Sequence, residues 1–154
     1  MSLFLVFLHI LFMFSAVAIS YGPLTIVTLA LRGGRTETLR AVTSGAKTLA
    51  VAIPILYVIG GALGLVAAIS SSVNLLAGWL VIAYILFAFL MGIGATLIGP
   101  WIERLATASA AAPDGPFSAE INVISADPRM RIVRVVDLVL VIGILYDMVV
   151  KPIS

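Results

Sequence analysis

Apolar residues fill four long stretches of the chain, and polar residues are gathered in the segments between them. The stretches are approximately residues 3–31, 48–70, 74–101 and 132–150. A membrane-spanning helix needs about 20 predominantly apolar residues. The pattern therefore predicts an all-α fold, a polytopic membrane four-helix bundle formed by a single membrane domain over residues 1–154. The first stretch is interpreted as a retained helix, and the Ala-x-Ala at residues 16–18 leaves a cleaved signal peptide as the alternative.

Composition supports a membrane location. Of 154 residues, 62% are apolar and only 10% are charged, whereas soluble domains carry about 25% charged residues. Because a chain this short cannot bury so much apolar surface in a water-soluble core, the excess is expected to face the lipid bilayer. The absence of cysteine excludes disulfides and thiolate metal sites. The net charge of +2 is too small to indicate nucleic acid as a partner.

The positions of the cationic residues predict the orientation. Eight of the nine Lys and Arg residues lie in or beside the segments 32–47 and 102–131, with Arg32 and Arg35 as anchors at the end of the first span. Only Lys151 lies elsewhere. Since Lys and Arg are enriched in cytoplasmic loops, we predict that both segments are cytoplasmic loops. Within the first, residues 36–47 are expected to continue the second span as a helix into the headgroup region, and the second is expected to be a solvated linker. Both termini are then on the outer, periplasmic side.

Small residues and prolines mark predicted packing surfaces and bends. Gly60 and Gly64 form a G-x-x-x-G pair on the second span, and Gly99 with Pro100 closes the third. Small residues let helix backbones approach closely in the bilayer, either inside the bundle or between protomers. Pro54 removes a backbone hydrogen bond and is expected to bend the second span.

Charged residues at the ends of the fourth span are predicted to pair. Arg134 and Asp137 are three residues apart and share a helical face, so a paired anchor is expected, with a proton-handling acid as the alternative. Asp147 and Lys151 have the same relationship at the other end. Trp101 is predicted to lie in an interfacial aromatic belt. Further along, the sequence "SADPR" predicts a helix start in which Ser125 or Asp127 is the cap.

His9 is the only histidine of the chain and lies in the first apolar stretch. Met13, four residues later, shares its helical face, and imidazole and thioether donors together can bind haem iron or copper. Met91 is the candidate internal partner. The alternative is that His9 hydrogen bonds a serine, a tyrosine or a backbone carbonyl while Met13 simply packs. No cofactor is predicted on balance, although haem or copper at His9 and Met13 stays open.

Several short motifs resemble a known family. The segment "LHILFMFSAVAISYG", followed by an arginine-bearing loop, "GWLVIAYILF" and "IGPWIERLA", resembles the domain-of-unknown-function 2269 family, which is loosely similar to the CopD copper-resistance type. The resemblance implies a small four-helix protein of the bacterial cytoplasmic (inner) membrane. It implies no established activity.

The sequence contains none of the Walker, G-x-S-x-G or H-E-x-x-H motifs. We therefore predict a non-enzymatic accessory, assembly or scaffold subunit, present as a homo-oligomer or in a larger membrane complex. A haem- or copper-binding protein using His9 is one alternative. A small-solute channel or transporter that uses the bend at Pro54 is another.

Overall fold

The computed structural model of the protein describes residues 2–152, which are helical over most of their length. The helices are α1 (Ser2–Gly33), α2 (Thr36–Ala50), α3 (Ala52–Ser70), α4 (Gly78–Ile93), a π-helix (Gly94–Ile98), α5 (Gly99–Ala111), α6 (Ala119–Ser125) and α7 (Pro128–Val150). These residues form no β-strand, and a single isolated bridge joins Arg35 to Pro116.

Three helical stretches are long and apolar enough to cross a membrane. They are Leu3–Gly33, Thr36–Ser70 and Gly78–Ala111, with mean hydropathies of 2.5, 2.4 and 2.4. The prediction of an all-α chain with membrane-crossing helices is confirmed for these three. α7 is not among them, because it carries five charged side chains along its 23 residues.

The segments predicted as cytoplasmic loops, 32–47 and 102–131, are largely helical. In the first segment this confirms the expected helical continuation of the second span, whereas in the second segment a linker was predicted. α2 fills most of the first, and the second contains the end of α5, all of α6 and the start of α7. The helices there are amphipathic, and α2 buries Thr36, Leu39, Thr43 and Ala46 at helical spacing. Conversely, residues 74–77, predicted to begin the third span, precede the first turn of α4.

Two prolines lie at irregularities in the membrane-crossing helices. The helix is interrupted at Val51 between α2 and α3, and Pro54 cannot donate a hydrogen bond to the carbonyl of Ala50, where α2 ends. Just before Pro100 the chain forms a π-helix, closed by the Gly99 N–H that donates to the carbonyl of Gly94. Such short π-helical segments occur often at functional sites.

Consecutive membrane-crossing stretches run in opposite directions, so that residues distant in sequence meet. α1 packs along α3, α4 along α7, and α2 along both α1 and α5. α6 closes over α5. We call the region formed by α2, α5, α6 and the last turns of α1 the polar end, because it holds most of the charged side chains.

The buried side chains form two clusters. One lies at the polar end and joins α1, α2, α5, α6 and the start of α7 around Leu39, Leu105 and Ile121, all of which are fully buried. The other lies among the membrane-crossing segments, around Ala16, Tyr57, Leu90, Val141 and Ile144. Outside these clusters large apolar side chains are exposed along the helices, as expected of surfaces that face lipid.

Candidate functional site

His9 and Met13 lie on the face of α1 that contacts α3. The Nδ1–H of His9 donates to the backbone carbonyl of Gly60 across 2.7 Å. A Cβ at Gly64 would lie 2.7 Å from Nδ1 of His9, and a Cβ at Gly60 would lie 2.8 Å from Sδ of Met13. The glycine pair is therefore a contact surface inside the protein, where the absence of side chains admits the imidazole and the thioether.

The candidate donor atoms of His9 and Met13 face α3 and its glycines. Nδ1 of His9 is engaged by a carbonyl, and Sδ of Met13 faces Gly60 directly. Met91, the candidate internal partner, lines a separate cavity described below. Within residues 2–152 no three His, Cys, Asp or Glu side chains lie close enough together to hold a metal ion. Binding of haem or copper at His9 and Met13 stays a prediction.

The predicted pair between Arg134 and Asp137 is wrong. The hydroxyl of Tyr21 donates to Oδ2 of Asp137. Arg134 instead donates from Nη1 to Oγ1 of Thr28 across 2.8 Å and from Nε to the carbonyl of Met130 across 3.1 Å. Helical spacing places both charged groups on one face, but α1 offers each of them a different partner. Asp137 is consequently not neutralised by the arginine one turn away.

Trp101 is buried at the polar end, so its predicted place in an interfacial belt is also wrong. Its exposed fraction is 4%. The indole Nε1–H donates to the carbonyl of Ile124 across 3.2 Å, because α6 folds back over the ring. The guanidinium of Arg134 lies 5.7 Å from the ring centroid, which fixes the arginine further.

The predicted pair between Asp147 and Lys151 does not form either. The ammonium of Lys151 lies 5.0 Å from the ring centroid of Trp79. Asp147 is 3% exposed, and neither carboxylate oxygen has a hydrogen-bond partner among the described residues. Both acids of α7 are therefore buried, Asp137 with a tyrosine partner and Asp147 with none.

A cavity of about 310 Å³ opens between the helices where their irregularities meet; we call it the cleft. α1, α2 and α3 form one wall, while α4, the π-helix and α5 form the other. Pro23 and Pro54 line the first wall, and Gly94, Ala95 and Gly99 line the second. Irregular helical segments are tolerated in membrane proteins where they line a cavity, as these segments do.

The wall of the cleft is mainly apolar and carries few polar groups. Its charged side chains are Lys47, Glu103 and Asp137. Nζ of Lys47 and Oε1 of Glu103 lie 2.7 Å apart, and both side chains are about half exposed. This ion pair joins α2 to α5 at the mouth of the cleft and is internally neutral. Asp137, at 6% exposure, is the charged residue left without a cationic partner in the wall.

Arg40 holds α2 against the end of α5 at the polar end. Its Nε and Nη2 donate to the carbonyls of Ser109 and Ala112 across 2.9 and 2.6 Å. Nη1 pairs with Asp114 across 2.7 Å. The guanidinium thus satisfies carbonyls at the end of α5 that lack helical partners. This fixes the position of α5, which supplies Glu103 to the mouth of the cleft.

Glu37 lies at the polar end, beyond the apolar part of its helix. It accepts hydrogen bonds from its own backbone N–H, from the backbone N–H of Gly115 and from the guanidinium of Arg35. These contacts favour the charged form and lower the pKa of the Glu37 carboxyl to about 2. Arg32 is exposed nearby, so both predicted arginine anchors lie at the polar end.

Sequence reasoning missed Tyr21 as a partner for Asp137. A polar group in an apolar run usually faces the protein interior, and both Tyr21 and Asp137 interrupt such runs. That signal marked each residue as an interior candidate. It could not have paired them, because they are 116 residues apart.

No protein-family model, curated protein or solved structure matches this chain. The resemblance to the domain-of-unknown-function 2269 family stays a prediction.

Proposed function

We propose that the protein is a four-span, non-enzymatic protein of the bacterial cytoplasmic membrane, with α7 as its fourth span. At about 1.5 Å per residue its 23 residues extend about 35 Å, which matches a hydrocarbon core about 30 Å thick. The two acids of α7 are buried against the protein instead of facing lipid. The arginines of the polar end support a cytoplasmic location for that end and an outer location for both termini.

Within this frame, we propose that the protein binds and moves a small solute. The observation that carries the proposal is the cleft of about 310 Å³ at the convergence of the bent and π-helical segments. Ligand sites are typically about 300–1,000 Å³, mainly apolar, with a few convergent polar groups. Of the functions expected from the sequence, small-solute transport is the one for which the protein has a suitable cavity.

The ion pair at the mouth suits a cleft that opens and closes. Exposed pairs such as Lys47 and Glu103 contribute only about 0–1 kcal/mol. Separating them therefore costs no more than about twice the thermal energy, so that the mouth can open without unfolding α2 or α5. The irregularity at Val51 lies on one side of the mouth, and the π-helix lies on the other.

Cysteine labelling tests the cleft, because the natural chain contains no cysteine. Ala95 lines the cleft, whereas Ala88 is exposed on α4 and does not line the cleft. In reconstituted vesicles, Ala95→Cys is expected to react with the small neutral reagent methyl methanethiosulfonate at least about tenfold faster than Ala88→Cys. A water-accessible thiol ionises, whereas a thiol in lipid stays protonated and unreactive.

Transport is tested separately by the uptake of a small solute into proteoliposomes. Benzyltrimethylammonium and the neutral solute erythritol are the probes, and Ala95→Phe, which fills the cleft, should reduce the uptake of either probe that enters to that of empty vesicles. Ala88→Phe is the matched control and should leave uptake unchanged. Equal labelling of the two cysteine variants, or uptake that Ala95→Phe does not reduce, would contradict the proposal.

A further inference from the structure

The cleft contains an acid whose chemistry selects a class of solute. Resting on the proposed solute-binding function, we infer that the cleft takes a small organic monocation with an apolar body, and that each cation displaces one proton from Asp137. The inference combines the burial of this carboxyl, the set of charges around it and the aromatic lining of the same cavity.

Burial without a cationic partner is the first element. Asp137 is 6% exposed and lies in the wall of a mainly apolar cavity. Among the described residues its hydrogen-bond partner is the hydroxyl of Tyr21, on Oδ2. An isolated carboxylate in such surroundings costs far more than a neutral carboxyl, so that it holds a proton until a cation arrives.

The charges on every neighbouring helix leave this carboxyl without a permanent partner. On α1 and α3 the titratable groups that line the cleft are the phenols of Tyr21 and Tyr57. On α7 the nearest cation is Arg134, whose guanidinium is engaged by Thr28, a backbone carbonyl and an indole ring.

The remaining charges of the lining lie at the mouth. Lys47 on α2 and Glu103 on α5 neutralise each other there across 2.7 Å. A cation that enters past them meets one uncompensated acid at the base of the cleft.

Aromatic side chains complete a site suited to a weakly hydrated cation. The rings of Tyr21 and Tyr57 line the same cavity as the acid. Tyr57 is fixed by an edge-on contact with Phe87, with the ring centroids 5.7 Å apart. Aromatic rings attract quaternary ammonium groups through their quadrupoles, more strongly where water is excluded. The apolar wall accommodates the organic part of such a solute.

The exchange balances in charge and atoms. The carboxylic acid of Asp137 releases its O–H proton to water through the mouth, and the carboxylate that remains pairs with the cation. The cleft therefore carries the same charge before and after exchange, so no charge is left uncompensated at membrane depth. Tyr21 donates to Oδ2 in both states and holds the carboxyl in place.

The experiment uses the whole protein in lipid nanodiscs with two probes of the same shape. Benzyltrimethylammonium is the cation, and 2,2-dimethyl-1-phenylpropane, in which carbon replaces nitrogen, is its neutral counterpart. Because neither probe titrates, any dependence on pH belongs to the protein. Equilibrium dialysis against empty nanodiscs measures binding. Calorimetry in buffers of different ionisation enthalpy counts the protons released.

The expected result is preference for the cation, release of about one proton per cation bound, and an affinity that rises about tenfold per pH unit while the acid is protonated. Asp137→Asn, which keeps an acceptor for Tyr21, should lose cation binding and keep the neutral probe. Asp137→Glu should restore proton release. Ala88→Phe, outside the cleft, should match the natural protein.

The outcomes separate the two proposals. If the neutral probe binds and the cation does not, the cleft is a solute site and the inference about cations is overturned. Binding of the cation without proton release, or with an unchanged affinity in Asp137→Asn, overturns the exchange. If neither probe binds above empty nanodiscs, the proposed solute-binding function itself fails.

Discussion

The contact between α1 and α3 gives a direct test of why Gly64 must be a glycine. A Cβ at this position would lie 2.7 and 2.8 Å from Nδ1 and Cε1 of His9, distances that real structures essentially never show. The imidazole can turn away only by giving up its hydrogen bond to the carbonyl of Gly60. Gly64→Ala therefore forces either a shift of α1 or the loss of that hydrogen bond.

The magnitude follows from these two routes. Overpacking a close contact costs about 1–3 kcal/mol, and a hydrogen bond contributes about 0.5–1.5 kcal/mol. Replacing a helical glycine by alanine by itself stabilises the helix by about 0.5–1 kcal/mol. Because the protein takes the cheaper route and keeps the gain in helix propensity, we expect Gly64→Ala to lower the free energy of unfolding by no more than about 2 kcal/mol. Gly61→Ala is the matched control, because a Cβ at Gly61 meets no atom within 4 Å, and it should be neutral or stabilising.

Unfolding by sodium dodecyl sulfate in detergent micelles, followed by circular dichroism, measures both variants. A double-mutant cycle with His9→Ala then isolates the contact. Once the imidazole is removed, Gly64→Ala should cost little, so that the two changes are less than additive by about 1 kcal/mol or more. If Gly64→Ala is as harmless as Gly61→Ala, or if its cost is unchanged without the imidazole, the helices do not meet at this glycine as described.

Three further changes test other parts of the structure. The pKa of the Glu37 carboxyl is about 2 in the folded protein, against 4.5 for the unperturbed group. Its contribution to stability is therefore complete above pH 4.5 and is lost as the pH falls towards 2. Glu37→Gln should reduce the pH dependence of the melting temperature between pH 4.5 and 2, relative to the natural chain. Asp147→Leu removes a buried carboxyl that has no hydrogen-bond partner among the described residues. It should raise the free energy of unfolding in detergent by about 1–3 kcal/mol. Asp147→Asn keeps an unpaired polar group, so it should raise this free energy by less. Trp101→Phe leaves the carbonyl of Ile124 without its donor and should lower the free energy of unfolding by about 1–3 kcal/mol in the same assay. Trp79→Phe weakens only the contact with Lys151 and should lower it by less than about 1 kcal/mol.

The membrane character of the chain was determined by the sequence itself. Long apolar stretches predict helices directly, because in lipid a helix satisfies its own backbone hydrogen bonds whatever its neighbours are. Helix caps could also be predicted, because a capping side chain contacts residues next to it in the chain. Asp127, one of two candidate caps in "SADPR", accepts the N–H of Arg129 at the start of α7, so that part of the prediction is confirmed.

Partners distant in the chain were decided only by the tertiary structure. Arg134 and Asp137 share a helical face, yet Thr28 and Tyr21 on α1 provide their contacts. Tryptophan is typical of the membrane interface, yet α6 covers Trp101. Side-chain spacing determines which groups are able to meet on one helix, whereas the packing of other helices determines which contacts are made.

The cleft also belongs to the tertiary structure. Pro54 and the Gly99–Pro100 pair were visible in the sequence as bends, but bends are common in membrane helices and identify no cavity alone. Packing brings the irregular segments of two walls to the same depth and places Asp137 between them. The sequence by itself therefore determined the apolar helices and the residues able to carry charge within them. Only the packing of the helices decided that His9 is a contact at the glycines of α3 and that Asp137 is the acid of a cavity.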